Sequence, residues 1–135
     1  MSRDDLFAYT TDERLPVEVL VFDVAPEHVD AFLAVDHEVW TLGEAFMFAE
    51  TDGEEHRIPF RSKEVWLDDA HPGRIWLVFV WDDVAGWHRI GTPENMERLQ
   101  AEFDARFPHD VTLVRAYHDE SNFGIHRVAR FERRS

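Results

Sequence analysis

The chain has no cysteine and only one lysine. Without cysteine there can be no disulfide, no thiolate nucleophile and no cysteine-ligated zinc. Basic residues are scarce as a class: 14 Lys and Arg stand against 28 Asp and Glu, for a net charge of −14. Such a surface repels phosphate backbones and anionic lipid, so neither nucleic acid nor membrane is expected as a partner. No apolar run approaches the roughly 20 residues of a membrane span. The opening MSRDDLFAYTTDERLP is polar and acidic, unlike a signal peptide, so a cytoplasmic protein is expected. Also missing are a Gly-rich phosphate loop, a GxSxG elbow and any HxxxH or HxH pair among the eight histidines.

What remains is a chain of 135 residues, 44% of them hydrophobic, which suits one packed domain. Residues 1–15 read as a flexible or loosely docked arm and 16–135 as a single α+β domain. In PVEVLVFDV (16–24), Val17, Val19 and Val21 alternate with Leu20, Phe22 and Val24, a strand apolar on both faces. APEHVDAFLAVDHEVWTLGEAFM (25–47) has helical spacing, with Pro26 suited to the first turn. Its apolar stripe is interrupted near Asp36, His37 and Glu44. A charged insertion near 50–60 follows.

Strands are predicted at Phe60–Leu67 and at RIWLVFVW (74–81), joined by a turn that Pro72 and Gly73 punctuate. DDVAGWHRI (82–90) reads as a short helix with Asp82 or Asp83 as its cap. Thr92 and Pro93 begin a second long helix whose buried face is Met96, Leu99, Phe103 and Phe107. A strand at 111–119 and a short fifth strand in GIHRVARF complete the chain. The order β-α-β-β-α-β is the ferredoxin-like arrangement. Two helices cover only one face of such a sheet, and the strands are apolar on both, so a homodimer packed sheet to sheet is expected.

The segments DHEVWT (36–41), SKEVWLDD (62–69), RIWLVFVWDDVAGWHRI (74–90) and MERLQAEFDARFP (96–108) resemble those of dimeric α/β-barrel proteins related to the antibiotic-biosynthesis monooxygenases, and more narrowly a small bacterial branch of them. The resemblance implies a ferredoxin-like protomer, a dimeric α/β barrel, and a small pocket between sheet and helices. The wider group includes cofactorless oxygenases of electron-rich aromatic compounds, haem-binding and haem-degrading proteins, and isomerases or cyclases. Trp87 lacks the following histidine that the haem-degrading members place in the next helix, where this chain reads TPENMERLQAEF.

Four groups of residues are candidates for chemistry. Asp36 and His37 break the buried stripe one turn before Trp40, where desolvation would raise a carboxylate pKa; the plainer reading is an Asp36 ion pair and a solvated His37. Lys63 is a lone ammonium in an arginine-using chain, and Glu64 beside it faces the opposite side of the strand; an ion pair is the plainer reading for Lys63. Trp40, Trp66 and Trp87 are candidate walls for a flat ligand, against the ordinary role of aromatics in a core. His88 could assist proton transfer.

The expected function is acid/base chemistry (oxygenation, isomerisation or cyclisation) on a flat, aromatic or polyketide-like small molecule, with no cofactor predicted. The alternatives are a haem or divalent-metal carrier using His37, His88 or His118, and a ligand-binding dimer without catalysis.

Overall fold

The computed structural model describes residues 5–46, 60–117 and 124–134. Met47, the charged segment 50–59 with His56, and His118 lie outside them. Five strands form: β1 (Phe7–Asp23), β2 (Phe60–Leu67), β3 (Arg74–Trp81), β4 (Thr112–Ala116) and β5 (His126–Arg133). The central sheet runs β2-β3-β1-β4, each neighbour antiparallel. With helices crossing between β1 and β2 and between β3 and β4, this is the split β-α-β arrangement expected from the sequence.

β1 is longer than the apolar pattern suggests. It begins at Phe7, so most of the segment read as an arm is strand, and its outer half pairs with β5 from Phe7↔Arg133 to Pro16↔His126. The pairing slips between Thr11 and Leu15, where Arg14 takes a positive φ of 55°, a conformation uncommon outside glycine. One strand thus serves two sheets across a bend.

Two apolar layers sit on either side of the central sheet. On the helix side, Ile75, Leu77, Phe79 and Trp81 pack with Phe32, Val39, Leu99, Phe103 and Phe107. On the outer side, Val17, Val19, Val21, Val78 and Val80 pack with Trp76 and Tyr117. The strict alternation of β1 and β3 produces both layers. Beyond the valines, the outer side carries larger apolar groups in solvent, including Trp66, opposite Trp76 in register.

The first crossover enters through a 3₁₀ turn at Pro26–His28, becomes α1 (Val29–Asp36), and continues as a π-helical stretch, His37–Gly43. Its buried residues are Phe32, Asp36, Val39 and Glu44. The last step, five residues, is the interval a π turn brings onto one face. His37 falls outside this stripe and is exposed.

The second crossover has two helices, α2 (Val84–Ile90) and α3 (Pro93–Arg106). Asp83 caps α2 by accepting from the Gly86 N–H, and Thr92 caps α3 by accepting from the Asn95 N–H. Leu99, Phe103 and Phe107 carry the buried face as predicted, with Met96 half-buried beside them. Among the described residues no helix is long and apolar enough to cross a membrane.

Candidate active site

Between the helices and the inner face of the sheet lies a cavity of about 680 Å³, within the range of about 300–1,000 Å³ usual for small-molecule sites. Its walls are largely aromatic and aliphatic, with Phe22 and Phe79 from the sheet, Phe103 from α3 and the indoles of Trp40 and Trp87. Into this apolar space the fold aims three buried carboxyls, Glu18, Asp36 and Glu44, which are 7%, 2% and 6% exposed.

Each carboxyl arrives by a different route. Glu18 stands on β1 opposite Phe79, on the same side as Leu20 and Phe22. Asp36 is the last residue of α1, and Glu44 follows the π-helical stretch. Lys63 enters from β2, which skips a register step between Phe60 and Ser62. That irregularity lets Phe60 and Lys63, three apart, both face the helices, where Phe60 packs on Phe79 and Trp81.

Lys63 donates from Nζ to Asp36 Oδ2 at 2.7 Å and to Thr41 Oγ1 at 2.7 Å. Its ammonium lies 5.0 Å from the centroid of the Phe79 ring. The pair is shut away from water, the two side chains being 5% and 3% exposed. Asp36 Oδ1, by contrast, is buried with no hydrogen-bond partner among the described residues. The Trp87 indole Nε1–H donates to Glu18 Oε2 at 3.1 Å.

Burial dominates the electrostatics. Desolvation pushes Glu18 up to about 7, opposed by the Trp87 hydrogen bond, the nearby Trp81 indole and the charge of Lys63. Trp81 Nε1 reaches no hydrogen-bond partner among the described residues. Glu44 is pushed up to about 8, by desolvation first and then by the neighbouring Glu18 carboxylate. Asp36 is also raised by desolvation, with Lys63 pulling the other way. The site therefore offers three buried carboxyls, each with its proton affinity raised, and one fixed ammonium. Such a set can take a proton from a bound molecule and return it elsewhere.

The structure brings together Asp36, Lys63, Trp40 and Trp87 from the sequence candidates. It does not bring in the others. Glu64 pairs with Val78, faces the outer side and accepts from the Trp66 indole at 3.2 Å. Both are exposed, so Trp66 is no wall of this cavity and Glu64 no partner in it. His37 and His88 are exposed as well, and neither lines the cavity. His88 instead packs its ring against Trp87 at 4.9 Å. Among the described residues no three His, Asp or Glu converge closely enough to hold a metal ion. Glu18 is the residue that sequence reasoning passed over. Its signal was a lone carboxylate on the Leu20 and Phe22 side of an otherwise apolar strand.

No family model matches the chain, and no curated protein matches it. Thirteen chains of solved structures do match. One, an antibiotic biosynthesis monooxygenase, is 22% identical over 73% of this chain and 93% of its own, with a TM-score of 0.41. MupZ from Pseudomonas fluorescens is 16% identical over 77% of this chain and 69% of its own, with a TM-score of 0.45. A conserved protein from Methanosarcina mazei Go1 is 13% identical over 90% of this chain and 95% of its own, with a TM-score of 0.46.

Proposed function

We propose that this chain is a small-molecule enzyme of the antibiotic-biosynthesis-monooxygenase type, moving protons on a flat, aromatic or polyketide-like compound held in the cavity. The observation that carries the proposal is Asp36 itself. One carboxylate oxygen is fixed by a buried lysine, the other is buried without a hydrogen-bond partner among the described residues, and the residue lines a ligand-sized cavity. An unsatisfied buried acceptor costs about 1–3 kcal/mol and is retained where a bound group completes it.

Asp36 accepts a proton from an acidic C–H or O–H of the ligand. Lys63 and Thr41 hold Asp36 in place through the Lys63 Nζ bonds. Glu44, protonated at neutral pH, returns a proton at a second atom. Trp40 and Trp87 flank the ligand and exclude water. The anion so formed is reprotonated in an isomerisation, or attacks a carbonyl of its own in a cyclisation. In an oxygenation it reduces dioxygen, a CH₂ becoming C=O with one oxygen atom in the product and one in water. The substrate supplies the electrons, so no resident cofactor is needed. The working unit is a cytoplasmic homodimer formed through the outer side of the sheet.

The test uses anthrone, a flat ketone with an acidic CH₂, in deuterated buffer without oxygen. The wild-type protein is expected to speed deuterium uptake at the CH₂, and Asp36→Asn to lose that acceleration while keeping its circular dichroism. Equal uptake by both proteins removes Asp36 from the reaction.

A further inference from the structure

We propose that the ribbon formed by β5 and the outer half of β1 is a clasp, an arm by which each chain holds a second copy of itself. The inference rests on the homodimer reading above and adds a second contact surface to it.

The ribbon has little support in its own protomer. It is a two-stranded sheet, paired from Phe7↔Arg133 to Pro16↔His126. Among the described residues β5 has no substantial packing partner except β1. Two strands alone in water are marginally stable and need a further layer against one face. One face calls for such a layer. Tyr9 and Phe131 stand opposite each other in register and stack at 4.6 Å, and Phe7 follows on the same side. They are 58%, 65% and 48% exposed. Three aromatics so placed leave on the order of 300 Å² of apolar surface in water.

Two observations say what covers it. The first is continuity. Side chains alternate along a strand, so Arg127, Ala129, Phe131 and Arg133 share one side of β5. Arg127 lies opposite Leu15, and Leu15 belongs to the outer valine layer of the central sheet. The aromatic side of the ribbon therefore continues the dimer side of that sheet past the bend at Arg14.

The second is charge. Residues 124–134 carry four arginines and one glutamate, while the rest of the chain has ten basic residues against 27 acidic ones. Arg130 is paired with Glu132, but Arg133 and Arg134 make no ion pair among the described residues. A basic arm on an acidic body finds its complement in another copy of that body. The arginines alone would also draw nucleic acid or anionic lipid, but a net charge of −14 repels both. In the dimer each arm lays Tyr9 and Phe131 on the partner and turns Arg133 toward its carboxylates.

The experiment places the photocrosslinker p-benzoylphenylalanine at position 131 of the full chain. Irradiation at micromolar concentration is expected to give a covalent product of twice the chain mass. In sedimentation equilibrium, Phe131→Asp should weaken the dimer at least about tenfold with unchanged circular dichroism. Raising NaCl from about 0.05 M to about 0.5 M should weaken the wild-type dimer, and Arg133→Glu should blunt that response. If position 131 links no second copy and Phe131→Asp dimerises as tightly as wild type, the clasp falls and the sheet-to-sheet dimer stands. If the wild type is a monomer, both fall. An arm that links no copy but binds phosphatidylglycerol vesicles also overturns the clasp. Should Phe131→Asp fail to fold, the cross-link decides by itself.

Discussion

Glu44 is the side chain whose ordinary chemistry the fold alters most, its pKa rising from 4.5 to about 8. A carboxyl raised in the folded state keeps a proton that the unfolded chain gives up. Its contribution to stability is therefore greatest below about pH 4.5 and declines as pH rises toward about 8. Glu18 acts in the same sense up to about 7. The amide of Glu44→Gln has no charge to bury. The variant should gain stability relative to wild type as pH increases across that window, read as the difference in urea midpoints; a difference constant with pH would show that Glu44 titrates as if in water. At this scale the sequence was partly legible. Lys63 stood out as the one lysine, and strand parity separated it from Glu64, since adjacent residues point to opposite faces. Glu18 was hidden because one carboxylate hardly changes an apolar pattern of alternation. The missing partner of Asp36 Oδ1 is a fact of three-dimensional packing that no spacing encodes.

Among the elements, β2 and β3 appeared in the structure with the bounds their periodicity suggested, and so did the caps Asp83 and Thr92. Two features were not legible. The outer half of β1 is polar around residues 11–14, and its partner β5 lies more than a hundred residues away. The π-helical stretch has no composition of its own, yet it decides that Glu44 rather than its neighbours turns inward. The β2–β3 turn shows how narrowly one element can depend on another. Gly73 sits at φ +93°, and a Cβ there would lie 2.1 Å from the Val24 carbonyl oxygen, whose residue also donates its N–H to Gly73 O at 3.0 Å. Gly73→Ala should therefore destabilise the protein by about 3 kcal/mol or more, strain and clash together. Gly124, at φ +75° with nothing within 4 Å of an added Cβ, is the control, and its Ala variant should cost only about 1 kcal/mol. Equal losses in chemical denaturation at the two sites would show that the β2–β3 turn yields freely.

For the molecule as a whole, the outer side of the sheet is the open question of assembly. Its valines are buried within the protomer, but Trp66 is 47% exposed, and on the separate β1–β5 sheet Phe131 is 65% exposed, with Tyr9 stacked on it at 4.6 Å. Apolar groups so placed are those a second copy would cover, in an interface of roughly 1,000 Å² or more. Sedimentation equilibrium at micromolar concentration is expected to give a dimer, and Trp66→Glu a monomer with the helix-side core intact. A monomeric wild type would end the sheet-to-sheet proposal without touching the cavity on the helix side of the protomer. The bond from Trp87 Nε1 to Glu18 Oε2 also gives the molecule a native optical gauge. Indole emission responds to the charge beside it, so fluorescence should step near about pH 7 as Glu18 ionises. That step, lost in Trp87→Phe, would let the state of the buried acid be watched in unlabelled protein.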